Sequence, residues 1–567
     1  MTTIDPARAS VEVVDATVVE TTRWDRIDAL LAKLGDRLNP ILVKEARQAL
    51  RSRQFLITFF LMLIAGWAWS IVGLARIGPA VYYSAEGPRM LFVYHLILSF
   101  PLLVVAPYAA FHSLSSERQD RTFELLSITS LGARQILTGK LCAIGLQMVV
   151  YLSAIVPCLA FTYLLRGLDI VTIVLVVVYT CAFSLALSVS GLLLGAISPL
   201  RQRHIALSVL LAIGLFGAMW VDNLWTAAIV FQGGFWGASE FWLLQGLFAT
   251  LFINYFAVAF LAARSQLLTV SENRSTALRW SLVVAQLSFL GWMAGLQMTV
   301  VDPDVSFALI YVSAIGWFVF GMFLTGEPAA LSPRVRRDLP QSTLARTLLT
   351  WFTPGPGTGY VFVLVNMAAI SLLALLPYHE IGVFIRRLSD AAYSPSPGLW
   401  LGAGAPKPAE MMIAGAVATC YLAIYLGIGS LLVRVLRRRA NLALGVPALI
   451  NIVLLSVGSI VPWVIQMTSP TLRNRDWTVL QIPNAVWSLT DVCFDRLPVD
   501  DMVLLLMLFP VAVLVGGINV LFLLDDLKQV RVARPERVEQ DDTALAAVGA
   551  EPPGPKDPWD EVGGGAT

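Results

Sequence analysis

Apolar residues in this chain are gathered into long runs, and short polar segments separate one run from the next. The runs are about 20 residues long, which is the length that an α-helix needs to cross the hydrocarbon core of a bilayer. The pattern therefore predicts an all-α, polytopic integral membrane protein with twelve transmembrane helices. The predicted spans are 55–74, 91–111, 141–165, 170–197, 204–221, 241–263, 280–299, 305–325, 360–377, 411–433, 444–467 and 502–524.

The composition supports this class. Of the 567 residues, 57% are hydrophobic and 14% are charged, whereas a soluble protein has about a quarter of its residues charged. A single core could not hide so much apolar surface, because cores stop growing at roughly 250–300 residues. The net charge is only +2 and the basic residues lie at span boundaries rather than in one patch, so we expect no nucleic-acid partner.

The distribution of Lys and Arg predicts the topology. With the N-terminus in the cytoplasm, all but nine of the 40 Lys and Arg residues fall in the tails or in loops on the cytoplasmic side. The exceptions are Arg76, Arg89, Arg166, Arg386, Arg387, Lys407, Arg473, Arg475 and Arg496. This bias is the one expected of a membrane protein. It favours twelve spans in the cell membrane, with both termini cytoplasmic.

The first apolar run begins near Phe55, too far along the chain for a signal peptide, so residues 1–54 are predicted to be a retained cytoplasmic segment. Apolar residues at helical spacing over 24–38, interleaved with basic ones, predict an amphipathic helix that ends at Asn39-Pro40. A basic amphipathic helix ahead of a first span is typical of contact with membrane lipids. A cytoplasmic helix that packs on another subunit is the alternative.

Three further segments depart from simple spans and loops. Residues 222–240 are too apolar for a solvated loop and contain Gly233-Gly234, which favours a re-entrant or interfacial hairpin. Residues 264–279 are predicted to be a cytoplasmic linker. The tail 525–567 becomes polar and rich in Pro and Gly, and we expect it to be disordered.

The stretch 117–140 is charged, although it lies between two long apolar runs. Its residues can form a short two-faced helix, which Thr122 or Ser116 could cap and Gly132 would end. Such an element suits docking on a cytoplasmic partner, and a helix that only joins two spans is the alternative. It is not a phosphate-binding loop, because Gly132 and Gly139 are too far apart and Leu141 replaces the required Ser or Thr. We therefore expect no nucleotide or other cofactor in this chain.

The runs Glu117–Leu131 and Arg134–Leu141, with Asn39–Arg53 ahead of the first span, resemble the permease subunits of ATP-binding-cassette transporters. The similarity is to the type-2 exporter superfamily and its copper-enzyme-maturation and gliding-motility relatives, and it covers about residues 39–263. The residues that match the family pattern are Glu117, Arg118, Thr122, Glu124, Gly139 and Lys140. Arg121 replaces the usual Gly and Ser130 the usual Pro.

The resemblance implies a transmembrane subunit of an exporter that is not itself an enzyme. A separate ABC ATPase subunit would bind ATP, and the permease would form a homodimer or a heterodimer with a second permease. The coupling segment, 112–140, would lie in a six-span module, 55–263. The residues that would couple to the ATPase are Glu117, Arg118, Arg121, Thr122, Glu124 and Leu125. Residues 280–524 do not repeat the pattern and are predicted to form a second six-span module of unknown role.

Two small-residue motifs predict close helix packing or a dimer seam. They are Gly191 with Gly195 and Gly291 with Gly295.

Two other functions remain open. One is an integral-membrane enzyme that acts on lipid-linked substrates through outer carboxylates, and the other is a non-transporting scaffold. The carboxylates concerned are Asp491, Asp495, Asp500 and Asp501, for which a solvated loop is the simpler interpretation. The four histidines are scattered near segment ends, so we expect no metal site. Ionisable residues are nearly absent deep in the predicted spans, which disfavours a proton-coupled carrier.

Overall fold

The structure is a computed structural model. It describes residues 39–79, 83–120, 132–197, 201–232, 239–269, 271–299, 303–327, 332–337, 350–376, 408–439, 445–473, 477–495, 501–527 and 540. All regular secondary structure in these ranges is helical. Twelve of the described helices are long and apolar enough to cross a membrane. The prediction of an all-α, polytopic membrane protein is therefore confirmed.

The chain divides into two compact units, Met1–Gly234 and Phe235–Thr567. This division falls before the sixth span, whereas the module predicted from the resemblance, 55–263, places a boundary after it. The sixth span belongs to the second unit because it packs against the seventh. The predicted module therefore does not coincide with a compact unit, and its assignment as a transporter module stays a prediction.

The described part of the first unit contains six helices. They are α1 (Pro40–Arg51), α2 (Arg53–Ile77), α3 (Gly87–Gln119), α4 (Ala133–Leu164), α5 (Ile170–Ile197) and α6 (Arg201–Gln232). Asn39 begins α1, since its side-chain oxygen accepts a hydrogen bond from the backbone N–H of Ile41 at 3.1 Å. Pro40 occupies the first helical position, where its missing N–H costs nothing. Asn39-Pro40 thus starts a helix, and the amphipathic helix predicted over 24–38 lies outside the described residues.

The re-entrant hairpin predicted over 222–240 is wrong for its first half. Residues 222–232 continue α6 without a break, and 233–238 are not among the residues described. An apolar helix satisfies its backbone hydrogen bonds within itself, so α6 can extend well beyond the predicted end of the span at 221.

A π-helical turn, Pro101–Val105, interrupts α3 halfway along its length. Its signature is the bond from the Ala106 N–H to the Pro101 carbonyl, one residue further back than in an α-helix. That shift releases the Leu102 carbonyl from its usual helical donor, and the Ser184 hydroxyl of α5 donates to it instead. All five residues of the turn are buried, so a neighbouring helix supplies the hydrogen bond that water cannot.

The second unit has nine described helices. They are α7 (Ser239–Leu267), α8 (Thr276–Thr299), α9 (Pro303–Leu324), α10 (Pro333–Arg337), α11 (Pro356–Leu373), α12 (Pro408–Arg437), α13 (Gly445–Thr468), α14 (Ala485–Thr490) and α15 (Asp501–Leu527). The central helix is α12, which packs against α9, α11, α13 and α15. Small residues allow these close approaches: a Cβ added at Gly321 would lie 2.5 Å from a methyl group of Leu426, and one at Gly359 would lie 2.6 Å from the Leu324 carbonyl oxygen.

Candidate functional site

The candidate site lies where α1 crosses the start of α4. The Asn39 amide that caps α1 also donates to the Gln135 carbonyl of α4, at 2.6 Å. The two helices approach closely at Gly139, where an added Cβ would lie 2.9 Å from two side-chain carbons of Ile41. Glycine at 139 therefore has a packing reason, because any side chain would push α1 away from α4. The two stretches that carry the family resemblance are thus in direct contact.

Lys140, the next residue, lies at the centre of a buried charge cluster. Its ammonium group is 3.0 Å from Glu45 Oε1 of α1 and 3.1 Å from Glu117 Oε1 of α3. The Ser113 carbonyl of α3, 3.4 Å away, is a third acceptor. Lys44 of α1 approaches the same Glu117 oxygen at 3.4 Å. We call Lys44, Glu45, Glu117 and Lys140 the Lys140 cluster; it joins three helices.

Burial explains why Lys140 needs two carboxylates. Its side chain is 2% exposed, whereas those of Glu45 and Glu117 are 12% exposed and that of Lys44 is 59% exposed. A buried ammonium loses its hydration and is tolerated only where acceptors of opposite charge replace the water. Three acceptors match its three N–H donors, and with Lys44 the cluster has two positive and two negative charges.

One side of the Lys140 cluster opens into a polar cavity of about 360 Å³ between α1, α3 and α4. Gln48, His112 and Asp120 contribute further polar groups to its wall. The carboxylates are therefore held by the buried lysine on one side and can reach water on the other. This arrangement can hold three helices together while leaving one face of the cluster accessible.

The structure includes two of the predicted coupling residues. Glu117 belongs to the Lys140 cluster, and Arg118 occupies the last turn of α3. The other four, Arg121, Thr122, Glu124 and Leu125, lie outside the described residues. Since α3 ends at Gln119 and α4 begins at Ala133, the Lys140 cluster lies at the base of the segment that contains them.

The two small-residue motifs differ in their surroundings. Gly191 and Gly195 of α5 lie against the backbone of α3: added Cβ atoms would lie 2.5 Å from the Pro107 carbonyl oxygen and 2.7 Å from that of Phe111. This is close helix packing within the first unit. At Gly291 and Gly295 of α8 an added Cβ would meet nothing within 4 Å. Only the first motif therefore packs helices together in the part of the chain that the structure describes.

The second unit contains a buried charge cluster that the sequence pattern did not indicate. Arg279 of α8, expected in a cytoplasmic linker, is completely buried and pairs with Glu327 at 2.8 Å. Its other N–H groups donate to the hydroxyls of Ser275 and Thr358 and to the carbonyls of Trp351 and Gly355. Glu327 also accepts from the Ser275 hydroxyl and the Gly355 N–H. We call this set the Arg279 cluster.

Of the four carboxylates predicted to lie on the outer side, Asp491 is not in a loop. Asp491 lies in a helical segment formed by α14 and the turn Asp491–Asp495, and this segment packs against α9, α12 and α13. Val492 and Cys493 beside it are buried. The side chains of Asp495, Asp500 and Asp501 are not described. Within the described ranges, no group of three or more His, Cys, Asp and Glu side chains could hold a metal ion.

Sequence reasoning missed a buried ionisable pair inside the first unit. His95 of α3 and Asp222 of α6 are 1% and 6% exposed, and the His95 Nε2 atom lies 3.0 Å from a carboxylate oxygen of Asp222. Both positions fall within helices that are long and apolar enough to span a membrane. Two ionisable groups therefore meet inside apolar helices, although such residues were expected to be nearly absent deep in the spans. The signal was present, since the apolar run of α6 continues beyond Asp222.

The Lys140 cluster unites both stretches on which the family resemblance rests, and it is the best-defined candidate site in the described part of the chain. Comparison with known proteins adds no second line of support. No protein-family model, no curated protein and no solved structure matches this chain.

Proposed function

We propose that this chain is the permease subunit of an ATP-driven exporter, in which a separate ABC ATPase subunit supplies the energy. The observation that carries the proposal is the Lys140 cluster. It joins the segment before the first span to the two helices that flank the charged segment 121–131. A partner that docks on this segment could therefore move three helices together.

The cluster suits the transfer of force because the ion pairs of Lys140 are buried. Glu45 lies on α1, Glu117 lies in the last turn of α3 and Lys140 lies near the start of α4. Separating any pair of these helices would leave a buried charge without its partner, which costs about 3–5 kcal/mol. A push on the segment between Gln119 and Ala133 therefore moves α1, α3 and α4 as one body rather than bending a loop.

Movement of α3 would reach the rest of the first unit through close backbone contact. Gly191 and Gly195 of α5 let the two helices approach so closely that no side chain fits between them. The π-helical turn at Pro101–Val105 is a point at which α3 already departs from regular geometry, and such turns are frequent at functional sites. Two-state tilting of these spans, biased by nucleotide bound to the partner, is the mechanism we propose.

The cytoplasmic position of the cluster rests on the charge bias of the loops, and the direction of transport rests on the resemblance. The partners we propose are an ABC ATPase subunit and a second permease, which is either another copy of this chain or a sister chain. The basic face of α1, with Lys44, Arg47 and Arg51, lies next to the first span, where the headgroups of membrane lipids are expected.

Isolation of the native complex tests the proposal directly. The chain is extracted from its own membrane in mild detergent and purified through a C-terminal tag, and co-purifying proteins are identified by mass spectrometry. We expect an ABC ATPase at a ratio near one per permease chain. Recovery of the permease as a stable oligomer without any ATPase would overturn the proposal.

Reversal of one charge tests the docking segment. Glu124→Arg should reduce the amount of ATPase that co-purifies by about tenfold, which corresponds to the loss of about 1.4 kcal/mol of contact energy. Glu272→Arg, in a predicted cytoplasmic loop of the second unit, is the matched control and should leave recovery unchanged. Equal recovery with both variants would remove Glu124 from the docking surface, and the native complex would then decide the wider proposal alone.

A further inference from the structure

Residues 477–495 of the second unit, which we call the re-entrant segment, enter the helix bundle between two consecutive candidate spans. The first of these, α13, ends at Thr468, and the second, α15, begins at Asp501. The Asn484 side-chain amide donates to the Ser459 carbonyl of α13, at 3.2 Å. Ser459 lies nine residues before the end of α13, which is about 14 Å along the helix. The segment therefore reaches well below the end of α13.

Buried polar side chains hold the re-entrant segment in place. The Gln481 amide donates to Gln466 of α13 at 2.8 Å, and its oxygen accepts from the Asn484 amide at 2.9 Å. The Ser488 hydroxyl donates to the Gln481 carbonyl at 2.9 Å and accepts from the Trp477 indole N–H at 3.1 Å. Irregular backbone is tolerated at membrane depth where protein buries it and supplies its hydrogen bonds. This network meets that requirement.

Two tyrosines of α12 complete the hydrogen bonds of the segment. The Tyr421 hydroxyl donates to the Ile482 carbonyl at 2.7 Å, and the Tyr425 hydroxyl donates to the Pro483 carbonyl. Both carbonyls belong to a turn, so they need donors from outside the segment's own backbone. The protein itself therefore uses both hydroxyls, and the aromatic rings are left to line the space beside them.

That space is a cavity of about 280 Å³ between the re-entrant segment and helices α9, α12 and α13. We call it the apolar cavity, because its lining residues are alanine, valine, leucine, isoleucine, phenylalanine and three tyrosines. The third tyrosine is Tyr311 of α9, whose hydroxyl lies 3.1 Å from that of Thr490. All three tyrosine hydroxyls thus have a partner. A polar ligand would lose its hydration here without gaining a hydrogen bond, so the occupant must be apolar.

The apolar cavity lies at the depth of the bilayer's hydrocarbon. Ile315 of α9, Leu422 of α12 and Leu455 of α13 line it, and each is at least nine residues from either end of its helix, which is about 14 Å. Two lining residues, Ile315 and Val486, are 50% exposed, and they mark the side on which the cavity is open. At this depth the medium outside a helix bundle is lipid hydrocarbon.

We propose that the apolar cavity binds one hydrocarbon chain of a membrane phospholipid. An apolar cavity of about 150 Å³ stays free of water and takes up benzene, so one of about 280 Å³ has room for several methylene groups. Each leaflet contributes about 15 Å of hydrocarbon, so the far end of a chain reaches the cavity while its headgroup stays at the bilayer surface. The chain enters through the open side, and no covalent bond changes.

Photo-cross-linking in lipid nanodiscs tests this proposal. The full-length chain is reconstituted with a phosphatidylcholine that carries a diazirine at the end of one acyl chain, and the labelled residues are located by mass spectrometry. Leu422, in the cavity wall, is 3% exposed, whereas Leu426, one turn later on the same helix, is 0% exposed and lies outside the wall. A lipid chain reaches Leu422 only by entering the cavity. We expect label at Leu422 and none at Leu426.

A larger side chain at the open side tests the path of entry. Ile315→Trp should lower labelling of Leu422 by about tenfold, which corresponds to the loss of about 1.4 kcal/mol of binding free energy. Val312→Trp is the matched control and should leave labelling unchanged, because Val312 is 49% exposed on the same helix and lies outside the cavity wall.

Two outcomes would overturn the proposal. One is labelling of Leu422 no stronger than that of Leu426, and the other is equal labelling of Leu422 in the two tryptophan variants. If Ile315→Trp does not fold, the comparison of Leu422 with Leu426 in the unaltered chain decides alone. None of these outcomes bears on whether an ATPase binds at segment 121–131.

Discussion

Among the described residues, each unit has a deeply buried cation near the end of an apolar helix, and the two cations are held in different ways. Lys140 in the first unit has two carboxylates and one carbonyl around a single ammonium group. Arg279 in the second unit has one carboxylate, and its five N–H donors meet five different acceptors. Both cations lie in regions that the charge bias places on the cytoplasmic side.

The difference follows from the two cationic groups. A guanidinium is a rigid planar fork whose donors point in fixed directions, whereas an ammonium is a compact charge on a flexible stem. All hydrogen bonds of the Arg279 cluster therefore form together in one arrangement of the side chains. This suits a fixed joint that holds α8 and α11 together with the segment after α9 and the segment before α11. The Lys140 cluster has fewer fixed directions, and its carboxylates face a cavity of about 360 Å³ on the side away from the ammonium group.

The largest expected effect is that of Arg279→Met. It would leave Glu327, which is 15% exposed, without the guanidinium group, and it would remove the N–H groups that donate to four other acceptors. We expect a loss of about 5 kcal/mol in the free energy of unfolding, at the upper end of the cost of breaking a buried pair. Denaturant titration in detergent micelles measures the loss, with Arg89→Met on the exposed surface as the control. Equal stability of the two variants would refute the fixed joint.

Lys140→Met should have the next largest effect. We expect a loss of about 3 kcal/mol, at the lower end of the same range, because Glu45 and Glu117 reach the cavity and Lys44 stays close to both. Adding Glu45→Gln and Glu117→Gln to the Lys140→Met chain removes the orphaned charges and should restore about half of the loss. The same denaturant titration applies, and a triple variant no more stable than Lys140→Met would show that the cluster is not held by charge.

Gly139→Ala tests whether close approach of α1 matters apart from the ion pairs. The added methyl group would overlap Ile41, and overpacking of this kind costs about 1–3 kcal/mol. Gly145→Ala on the same helix is the matched control, because a Cβ there meets nothing within 4 Å. Removing a helical glycine at an open position should stabilise the chain by about 0.5–1 kcal/mol. If the two variants unfolded at the same denaturant concentration, tight packing at Gly139 would be excluded.

The smallest effect is expected for Lys44→Gln. The Lys44 side chain is 59% exposed, and exposed ion pairs contribute about 0–1 kcal/mol. The effect should shrink further in high salt, because screening weakens exposed pairs more than buried ones. Unfolding of Lys44→Gln and of the unaltered chain at low and high salt measures it. A salt-insensitive loss as large as that of Lys140→Met would mean that Lys44, and not Lys140, holds the cluster together.

The spans could be predicted from the sequence because hydrophobicity is a local property. The fourth predicted span, 170–197, has the same limits as α5. The other eleven helices differ from the predicted spans at one or both ends, and α6 differs the most. The hairpin predicted over 222–240 is wrong in its first half because too much weight was placed on two residues. Glycines at 233–234 were given more weight than the uninterrupted apolar residues before them, which form part of α6.

The sites could be predicted only in part, because they depend on which helices pack together. Glu117 and Lys140 were singled out from their place in a charged stretch, but nothing local indicates that Glu45 completes their cluster. The same is true of His95 and Asp222. Each is unremarkable in its own segment, and only contact between α3 and α6 makes them a pair.

The sequence by itself determined the class of the protein, the number and approximate positions of its candidate membrane helices, and the charged segment between the second and third spans. These features follow from the free-energy cost of placing polar groups in a bilayer. That cost depends on the residues of each segment and not on which other segments it packs against. The tertiary structure decided where the buried charges find their partners, at Lys140, Arg279 and His95. Residues so far apart along the chain come into contact only when their helices pack together. Because an unpaired buried charge is strongly destabilising, packing arrangements that leave such a charge unpaired are disfavoured.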